Sequence, residues 1–197
     1  AAAKAELAQA YGGLGVQAEQ DGRLAEAIAY HRTAIKNQPD SAHHYYNLGN
    51  VHRQMSAWDE AVEAYAKCLD RDSVYVDAYN NLGLTQADMG DFRRAATVYR
   101  KGLELAPDNA VIHYNLGKAL AKLGKVSEAR EAFNAFLTYW KGDSATLHYY
   151  MGEAYQDLGD TSSAVGAYRT FLARWQGDPE MTATVRERIR RLTSGGL

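Results

Sequence analysis

A five-residue segment that returns at a nearly fixed interval constrains this chain more than any other feature. It stands at residues 45–49, returns at 79–83 and 113–117, and recurs in a fainter form at 148–152 and a degenerate form at 11–15. Every copy ends in glycine, and the glycines are 34, 34, 34 and 35 residues apart: Gly15, Gly49, Gly83, Gly117 and Gly152. Self-similarity at such a period is typical of a solenoid, in which each repeat packs mainly on its neighbours.

Other positions repeat with the same period. Twelve residues after each glycine stands an alanine: Ala27, Ala61, Ala95, Ala129 and Ala164. Four residues further on stands a ring: His31, Tyr65, Tyr99, Phe133 and Tyr168. Apolar residues spaced i, i+3, i+4, i+7 predict two amphipathic helices in each repeat. Strand-type alternation is absent, so the sequence predicts an all-α fold.

This pattern resembles the tetratricopeptide repeat (TPR) family, whose helix-turn-helix unit carries Leu-Gly, a later Ala, an aromatic residue and Pro. Pro39 and Pro107 close the first and third units. The resemblance covers residues 8–178 and implies a right-handed superhelical solenoid of five helix-turn-helix repeats, 8–41, 42–75, 76–109, 110–144 and 145–178. An apolar stripe after Pro179 predicts a C-terminal capping helix over 179–192. We therefore expect one TPR domain over residues 1–197.

Small residues indicate how each unit is built. The fifteenth position of every unit predicts a left-handed residue that ends the first helix: Gly22, Ser56, Gly90, Gly124 and Gly159. Gly49 and Ala61 predict a close approach of the two helices within a unit. Tyrosines then fill the space against the next unit: Tyr45, Tyr65, Tyr79 and Tyr99. Cys68 is predicted to be a buried packing residue, as free cysteines usually are.

Charge and composition exclude several classes of partner. The chain has 22 Lys+Arg against 24 Asp+Glu, a net charge of −2, which gives no broad field for nucleic acid or an anionic membrane. No apolar run approaches the roughly 18 residues that span a bilayer. A single cysteine allows no intramolecular disulfide and leaves the compartment open. We expect a cytoplasmic protein, with the periplasm as an alternative, and alanine-rich helices with arginine-rich ends favour a bacterial source.

Patterns for catalysis are weak. His43, His44 and His52 share one helix, but no pair has the i, i+4 spacing of a helical zinc site. No glycine-rich phosphate loop follows a strand. His113 and His148 stand where other units carry tyrosine, and we predict packing roles for them. We therefore expect no enzyme activity, no catalytic residue, no metal site and no cofactor.

The resemblance does imply a binding face. In the family, six positions of each first helix (helix A) point into a concave groove. One of them gives a row of asparagines similar to that in the TPR arm of O-GlcNAc transferase, and an asparagine amide both donates and accepts, as a peptide unit does. The predicted peptide-binding set is Asn47, Asn81, Asn115, Tyr46, Asn50, Asp77, Asn80, Tyr114, Lys118, Tyr149, His43 and Arg53. We expect the three row asparagines to face solvent. The alternative is that they make local hydrogen bonds within a favoured helix A sequence.

The family's carboxylate clamp for chaperone tails is incomplete here. Tyr46 replaces one of its lysines, and Val111 and Asn115 replace two further cations. Asp77 adds a negative charge to the same face, so a terminal carboxylate finds no strong partner. A clamp is not expected.

The predicted function is a protein-binding scaffold that takes an extended segment of a protein or peptide partner, with no nucleic acid and no membrane involved. One alternative is a homotypic assembly scaffold, a homo-oligomer formed through the uncapped N-terminal end at residues 1–7. Another is the TPR arm of a larger enzyme such as a glycosyltransferase or kinase. The chain starts at Ala1 rather than Met, so either a leader has been removed or the chain is a piece of a longer protein.

Overall fold

The computed structural model describes residues 2–194, and all the regular secondary structure in that range is α-helical. The helices are α1 (Ala2–Gln20), α2 (Leu24–Asn37), α3 (Ala42–Gln54), α4 (Trp58–Arg71), α5 (Val76–Asp88), α6 (Phe92–Leu105), α7 (Ala110–Lys122), α8 (Val126–Tyr139), α9 (Ser144–Asp157), α10 (Thr161–Arg174) and α11 (Pro179–Ser194). Within residues 2–194, no helix combines the length and the apolar character needed to cross a bilayer.

The chain divides into two compact units, residues 1–107 and 108–197. The first contains three helical hairpins, α1/α2, α3/α4 and α5/α6, and consecutive hairpins pack through α2 with α3 and α4 with α5. The second contains the hairpins α7/α8 and α9/α10, followed by α11 on α10. The predicted all-α repeat fold, helical hairpins followed by one C-terminal helix, is confirmed.

The turn inside each hairpin uses the predicted left-handed residue. The angle φ is 74°, 82°, 72° and 74° at Gly22, Gly90, Gly124 and Gly159, and 56° at Ser56. Glycine adopts this region without the clash that a Cβ introduces, which explains its use at four of the five turns. Ser56 keeps the same geometry at some cost in strain.

A glycine in the first helix of each hairpin forms a notch that a ring from the second helix fills. A Cβ added to Gly49 would lie 2.6 Å from Cε1 of Tyr65, and one added to Gly83 would lie 2.5 Å from Cε1 of Tyr99. Both rings are fully buried. Tyr65 also packs with Leu82 of the next hairpin, as the sequence predicted. The notch therefore brings the two helices of a hairpin close together, and the ring joins that hairpin to the next.

Cys68 is fully buried beside Tyr45 and Ala78. Burial, with Asp72 adding to the effect, raises the pKa of its thiol to about 12. The predicted packing role is confirmed, since a thiol in this environment stays neutral and unreactive.

The C-terminal helix closes the second unit. Val185 is buried with Tyr168 and Phe171 of α10. The rest of its predicted apolar stripe packs on the same cluster: Met181, Ile189 and Leu192. The helix begins at the predicted Pro179 and is described through Ser194, beyond the predicted end at residue 192.

Candidate functional site

A polar network joins α3 and α5 in the first unit. Asn81 Nδ2 donates to Tyr46 Oη at 3.1 Å and to Asn50 Oδ1 at 2.9 Å. The Tyr65 hydroxyl donates to the same Asn50 oxygen at 2.7 Å, and Asn80 Nδ2 donates to Asn81 Oδ1 at 3.2 Å. The Asn81 amide is therefore used on both its donor and acceptor sides, and it links one hairpin to the next.

Asn47 lies deeper than the sequence predicted. It is only 7% exposed, and its Nδ2 donates to His43 Nε2 at 3.0 Å. The other ring nitrogen of His43, Nδ1, lies 3.3 Å from Tyr75 Oη. The prediction that all three row asparagines face solvent is wrong for Asn47. His43 stands one helical turn before it on α3 and covers its amide.

Tyrosine rings form the apolar part of the same face. The centroid of Tyr46 lies 5.0 Å from that of Tyr75 and 6.0 Å from that of Tyr65. Burial raises the pKa of Tyr46, and it raises the pKa of Tyr75 to about 12. All these hydroxyls therefore stay neutral near pH 7, available as both donors and acceptors. Tyr75 was not among the predicted site residues, because it precedes α5 and so lies outside the helix A positions.

Two predicted charged residues stand at the edges of this face. Arg53 Nη1 pairs with Asp88 Oδ2 at 3.6 Å, which ties α3 to α5. Asp77 lies exposed in the first turn of α5, where a negative charge favours the helix.

The second unit has its own cluster, centred on Glu153 of α9. The hydroxyls of Tyr114 and Tyr149 donate to its two carboxylate oxygens at 2.5 Å and 3.2 Å. Arg188 Nη1 of α11 donates to Oε1 at 2.7 Å. Burial opposes ionisation of Glu153, but the hydrogen bonds from Tyr114 and Arg188 outweigh it and hold the pKa of the carboxyl below its usual value. Glu153 is therefore a carboxylate at neutral pH.

Arg188 makes contacts that parallel those of Asn81. Its Nη1 also donates to Tyr168 Oη at 3.2 Å, and its guanidinium lies 5.4 Å from the centroid of Tyr149. Neither Arg188 nor Glu153 was among the predicted site residues, although Glu153 holds a helix A position that the family resemblance assigns to the groove. The available signals were that Glu153 stands in its repeat where Asn50 stands, and that Arg188 follows the stripe residue Val185 by three positions.

A charged cavity of about 420 Å³ adjoins this cluster, lined by Lys118, Glu153, Gln156, Asp157, Arg188, Arg191 and Leu192. Lys118 Nζ lies 5.3 Å from the centroid of Tyr114. Burial raises the pKa of Asp157 despite the nearby Lys118 and Lys122, and Asp157 Oδ2 has no hydrogen-bond partner among the described residues. Basic and acidic side chains thus lie side by side in this part of the site. Asn115, also predicted, lies half-buried on α7.

The remaining histidines carry no metal-binding geometry. Among residues 2–194, no group of three or more His, Cys, Asp or Glu side chains is arranged to hold a metal ion. The rings of His113 and Tyr139 stack with centroids 5.6 Å apart, and the His148 ring bonds to the Ser144 carbonyl at 2.6 Å. Both histidines are thus held by neighbouring groups of their own hairpin.

Comparison of the sequence with family profiles gives matches described as tetratricopeptide repeat across most of its length. The matched residues are 6–73 and 40–108 with one profile, 80–145 with a second and 147–177 with a third. No curated protein sequence matches the chain significantly.

Solved structures with the same fold include three with 21% sequence identity. A MamA protein has a TM-score of 0.71, covering 88% of this chain and 97% of its own. TTC0263, a thermophilic TPR protein from Thermus thermophilus, has a TM-score of 0.70, and the match covers 94% of this chain and 98% of TTC0263. YrrB, described as a TPR protein with an unusual peptide-binding site, has a TM-score of 0.64, with 90% of each chain covered. At this identity the likeness establishes the fold.

Proposed function

Because the chain belongs to the tetratricopeptide repeat family, we propose that it is a protein-binding scaffold whose A helices hold an extended segment of a partner protein. The observation that carries this proposal is the polar and aromatic face of α3 and α5. There, Tyr46, Asn50 and Asn81 form one connected network, with the exposed His43 and Asp77 beside it. Amides, neutral hydroxyls and imidazole offer donors and acceptors that suit a peptide main chain.

The spacing of the repeats supports an extended occupant. Packed helices lie roughly 10 Å apart, and an extended chain advances roughly 3.3 Å per residue, so every third residue meets an equivalent position on the next A helix. Asn81 links the two hairpins, and in this proposal its amide also orients the Tyr46 hydroxyl and the Asn50 side chain that the segment contacts. Rigid tyrosine rings add contact area at low entropic cost.

The test uses peptides selected by phage display on the intact chain, titrated calorimetrically against Asn81→Ala. Without Asn81, Tyr46 and Asn50 lose their orientation, and we expect the peptide to lose about one hydrogen bond to them. Such a bond contributes about 0.5–1.5 kcal/mol, so the affinity should fall about two- to tenfold. Asn134→Ala is the matched control, because Asn134 is exposed on α8, a second helix of its hairpin. Circular dichroism melts of each variant separate lost binding from lost folding. Unchanged affinity in a folded Asn81→Ala protein contradicts the proposal.

A second candidate function, homotypic assembly, is favoured by the exposed face of α1. In the third hairpin, Ala78 packs with Cys68, and Leu82 packs with Tyr65 of the preceding helix. Ala10 and Leu14 hold the same repeat positions on α1, yet Leu14 is 49% exposed where Leu82 is 8% exposed. The face that receives a preceding helix in later hairpins is therefore uncovered on α1 within the described residues.

The occupant we propose for this face is the α1 helix of a second copy. Leu7 is 45% exposed and lies two helical turns before Leu14, with Ala10 between them. An antiparallel approach of two α1 helices places Leu7 of one copy opposite Leu14 of the other, and small alanines allow close contact at the centre. Light scattering over a concentration series should show a dimer that Leu14→Glu converts to monomer. The exposed Val111→Glu on α7 should leave the dimer intact, and a wild-type monomer at high micromolar concentration refutes the assembly.

A further inference from the structure

Two adjacent glycines in α1 have different structural explanations. Glycine is less favourable than alanine inside a helix, so each glycine needs a reason. A Cβ added to Gly12 would lie 3.0 Å from Cε1 of His44, so the close packing of α1 on α3 accounts for Gly12. A Cβ added to Gly13 would meet no atom within 4 Å. Packing among residues 2–194 therefore gives no reason for glycine at position 13.

Gly13 occupies the repeat position that Asn47 holds in α3 and Asn81 holds in α5. Where those helices project an amide side chain, α1 projects nothing, and a recess of about 800 Å³ lies between α1 and α3. This volume falls within the range of about 300–1,000 Å³ that is typical of ligand sites. We call it the glycine recess. Its lining residues are Ala5, Glu6, Gln9, Gly12, Gly13, Val16, Gln17, Gln20, Gln38, Ser41, His43 and His44.

The walls of the glycine recess are apolar and neutral-polar. Val16, the glycine backbone and two imidazole rings supply flat or apolar contact, while four glutamines supply neutral amides. Glu6 is the single carboxylate among the lining residues, and no lysine or arginine lines the recess. A charged side chain entering it would lose water with little compensation, except for a cation near Glu6.

His44 forms part of the inner wall of the glycine recess. It is only 6% exposed, it lines the recess, and its Nδ1 has no hydrogen-bond partner among the described residues. Burial lowers the pKa of His44, and the nearby His43 lowers it further, so the ring stays neutral at pH 7. Nδ1 itself lies 3.3 Å from the position of a Cβ added to Gly12, closed off by the backbone of α1, so His44 offers an occupant a neutral ring rather than a hydrogen-bonding atom.

We propose that the glycine recess binds a tyrosine or tryptophan side chain of the segment held by α3 and α5. This deepens, and rests on, the proposed peptide-binding function. The ring of such a residue lies against the glycine backbone and Val16, and its O–H or N–H reaches the glutamine amides. The recess adjoins the network, because His43 lines the recess and its Nδ1 lies 3.3 Å from the hydroxyl of Tyr75, whose ring packs on that of Tyr46.

The first test needs no known partner. The probes are N-acetyl-tryptophanamide and N-acetyl-tyrosinamide, titrated into 15N-labelled protein while the Gly12 and Gly13 amide resonances are followed. The arginine and glutamate amides serve as charged probes. Aromatic probes should shift both resonances saturably and bind about tenfold or more tightly than either charged probe. A preference for a charged probe, or no shift at these glycines, overturns the proposal.

The variant Gly13→Tyr places an aromatic ring in the recess from α1 itself. Open space around the added Cβ and the better helix propensity of tyrosine mean that this variant should melt at or above the parent temperature. Gly166→Tyr on α10 is the matched control, since Gly166 is also an exposed helical glycine whose Cβ would meet nothing within 4 Å. Aromatic probes should bind Gly166→Tyr as they bind the parent and Gly13→Tyr about tenfold or more weakly. Equal binding to both variants overturns the proposal.

The display-selected peptides then separate the two proposals. Gly13→Tyr and the replacement of the peptide's aromatic residue by alanine should each weaken binding, with no further loss when combined. A peptide that Asn81→Ala weakens and Gly13→Tyr does not would overturn the recess and leave the scaffold function standing. Binding of aromatic probes without any selected peptide would support the recess and contradict the scaffold function. A dimer that Gly13→Tyr dissociates would assign the recess to a second copy and overturn the proposal.

Discussion

Arg188 Nη1 lies 2.7 Å from Glu153 Oε1, so the C-terminal helix is tied to α9 by an ion pair as well as by apolar packing. The same carboxylate accepts hydrogen bonds from Tyr114 and Tyr149. In the first unit, the neutral pair of Asn81 and Asn50 makes the corresponding link between two hairpins at 2.9 Å. A charged pair thus closes the last hairpin where an amide pair joins two internal ones.

Arg188→Ala should destabilise the protein by about 2 kcal/mol, because it leaves the half-buried Glu153 carboxylate without its counter-charge. Urea unfolding followed by circular dichroism measures the change. Arg186→Ala is the control, since Arg186 is exposed on the same helix and its loss should change the free energy of unfolding by less than about 0.5 kcal/mol. Equal effects of the two substitutions contradict the assigned role of Arg188.

Deleting residues 179–197 should lower both the melting temperature and the solubility of the chain. The deletion removes Val185 from the buried cluster around Tyr168 and Phe171, and so exposes these rings to water. Calorimetry and sedimentation of the truncated chain provide the measurement. A truncated chain that melts with the parent and stays soluble would show that α10 closes the array by itself.

Gly49→Ala should cost about 1–3 kcal/mol of overpacking, partly offset by the better helix propensity of alanine. Its Cβ would lie 2.6 Å from the ring of Tyr65, which is fully buried among other side chains. Gly166→Ala adds the same methyl group in open space and should stabilise by about 0.5–1 kcal/mol. Thermal melts of the two variants and the parent measure these changes in stability. If both substitutions stabilise or both destabilise the protein, the close packing of Tyr65 on Gly49 is contradicted.

Stability should fall as the pH is lowered from about 6.5 to about 4, because His31 is fully buried and burial, with His44 and His43 nearby, lowers its pKa to about 4. The unfolded chain takes up this proton near the ordinary value of about 6.5, so acid favours unfolding over that window by up to about 3 kcal/mol. Above pH 6.5 the full stability is present.

His31→Phe gives the control for this pH dependence. The substitution puts an aromatic ring on Gly15, in the way that Tyr65 covers Gly49, and it removes the titrating group. Melts at pH 7.5 and pH 5 should differ less in His31→Phe than in the parent. A small difference remains from His44 and His52, whose pKa values burial also lowers. An identical pH profile in the two proteins would contradict the assignment.

The repeat period was enough to predict most of the fold. Because helix starts, left-handed turns and the glycine–ring pairs recur at one spacing, their positions could be predicted from residue identity alone. The hydrogen-bond partners that side chains find in the next hairpin could not be predicted, since they depend on how far each helix is rotated toward its neighbour. Asn47 shows this limit. Its expected exposure implied that replacing the three row asparagines by alanine would leave folding unchanged, whereas its buried bond to His43 and the bridge made by Asn81 predict a loss of stability.

The candidate site was predictable in outline for the same reason. Tyr46, Asn50 and Asn81 do meet on one face, because equivalent positions of neighbouring A helices must. Arg188 could not be assigned in this way, because α11 stands outside the repeat and has no equivalent position to compare. The glycine recess was missed because an absent side chain leaves no signal in a hydrophobic pattern.

The notch and its ring have a consequence for how such a chain can change in length. Gly49 and Tyr65 are sixteen residues apart, as are Gly83 and Tyr99, so both members of each pair are encoded within one hairpin. A stretch of DNA that encodes one repeat therefore specifies a complete packing unit. When this stretch is duplicated in tandem or excised, every remaining glycine still packs against the ring of its own hairpin. Recombination can therefore lengthen or shorten the protein without disturbing the interior of any hairpin.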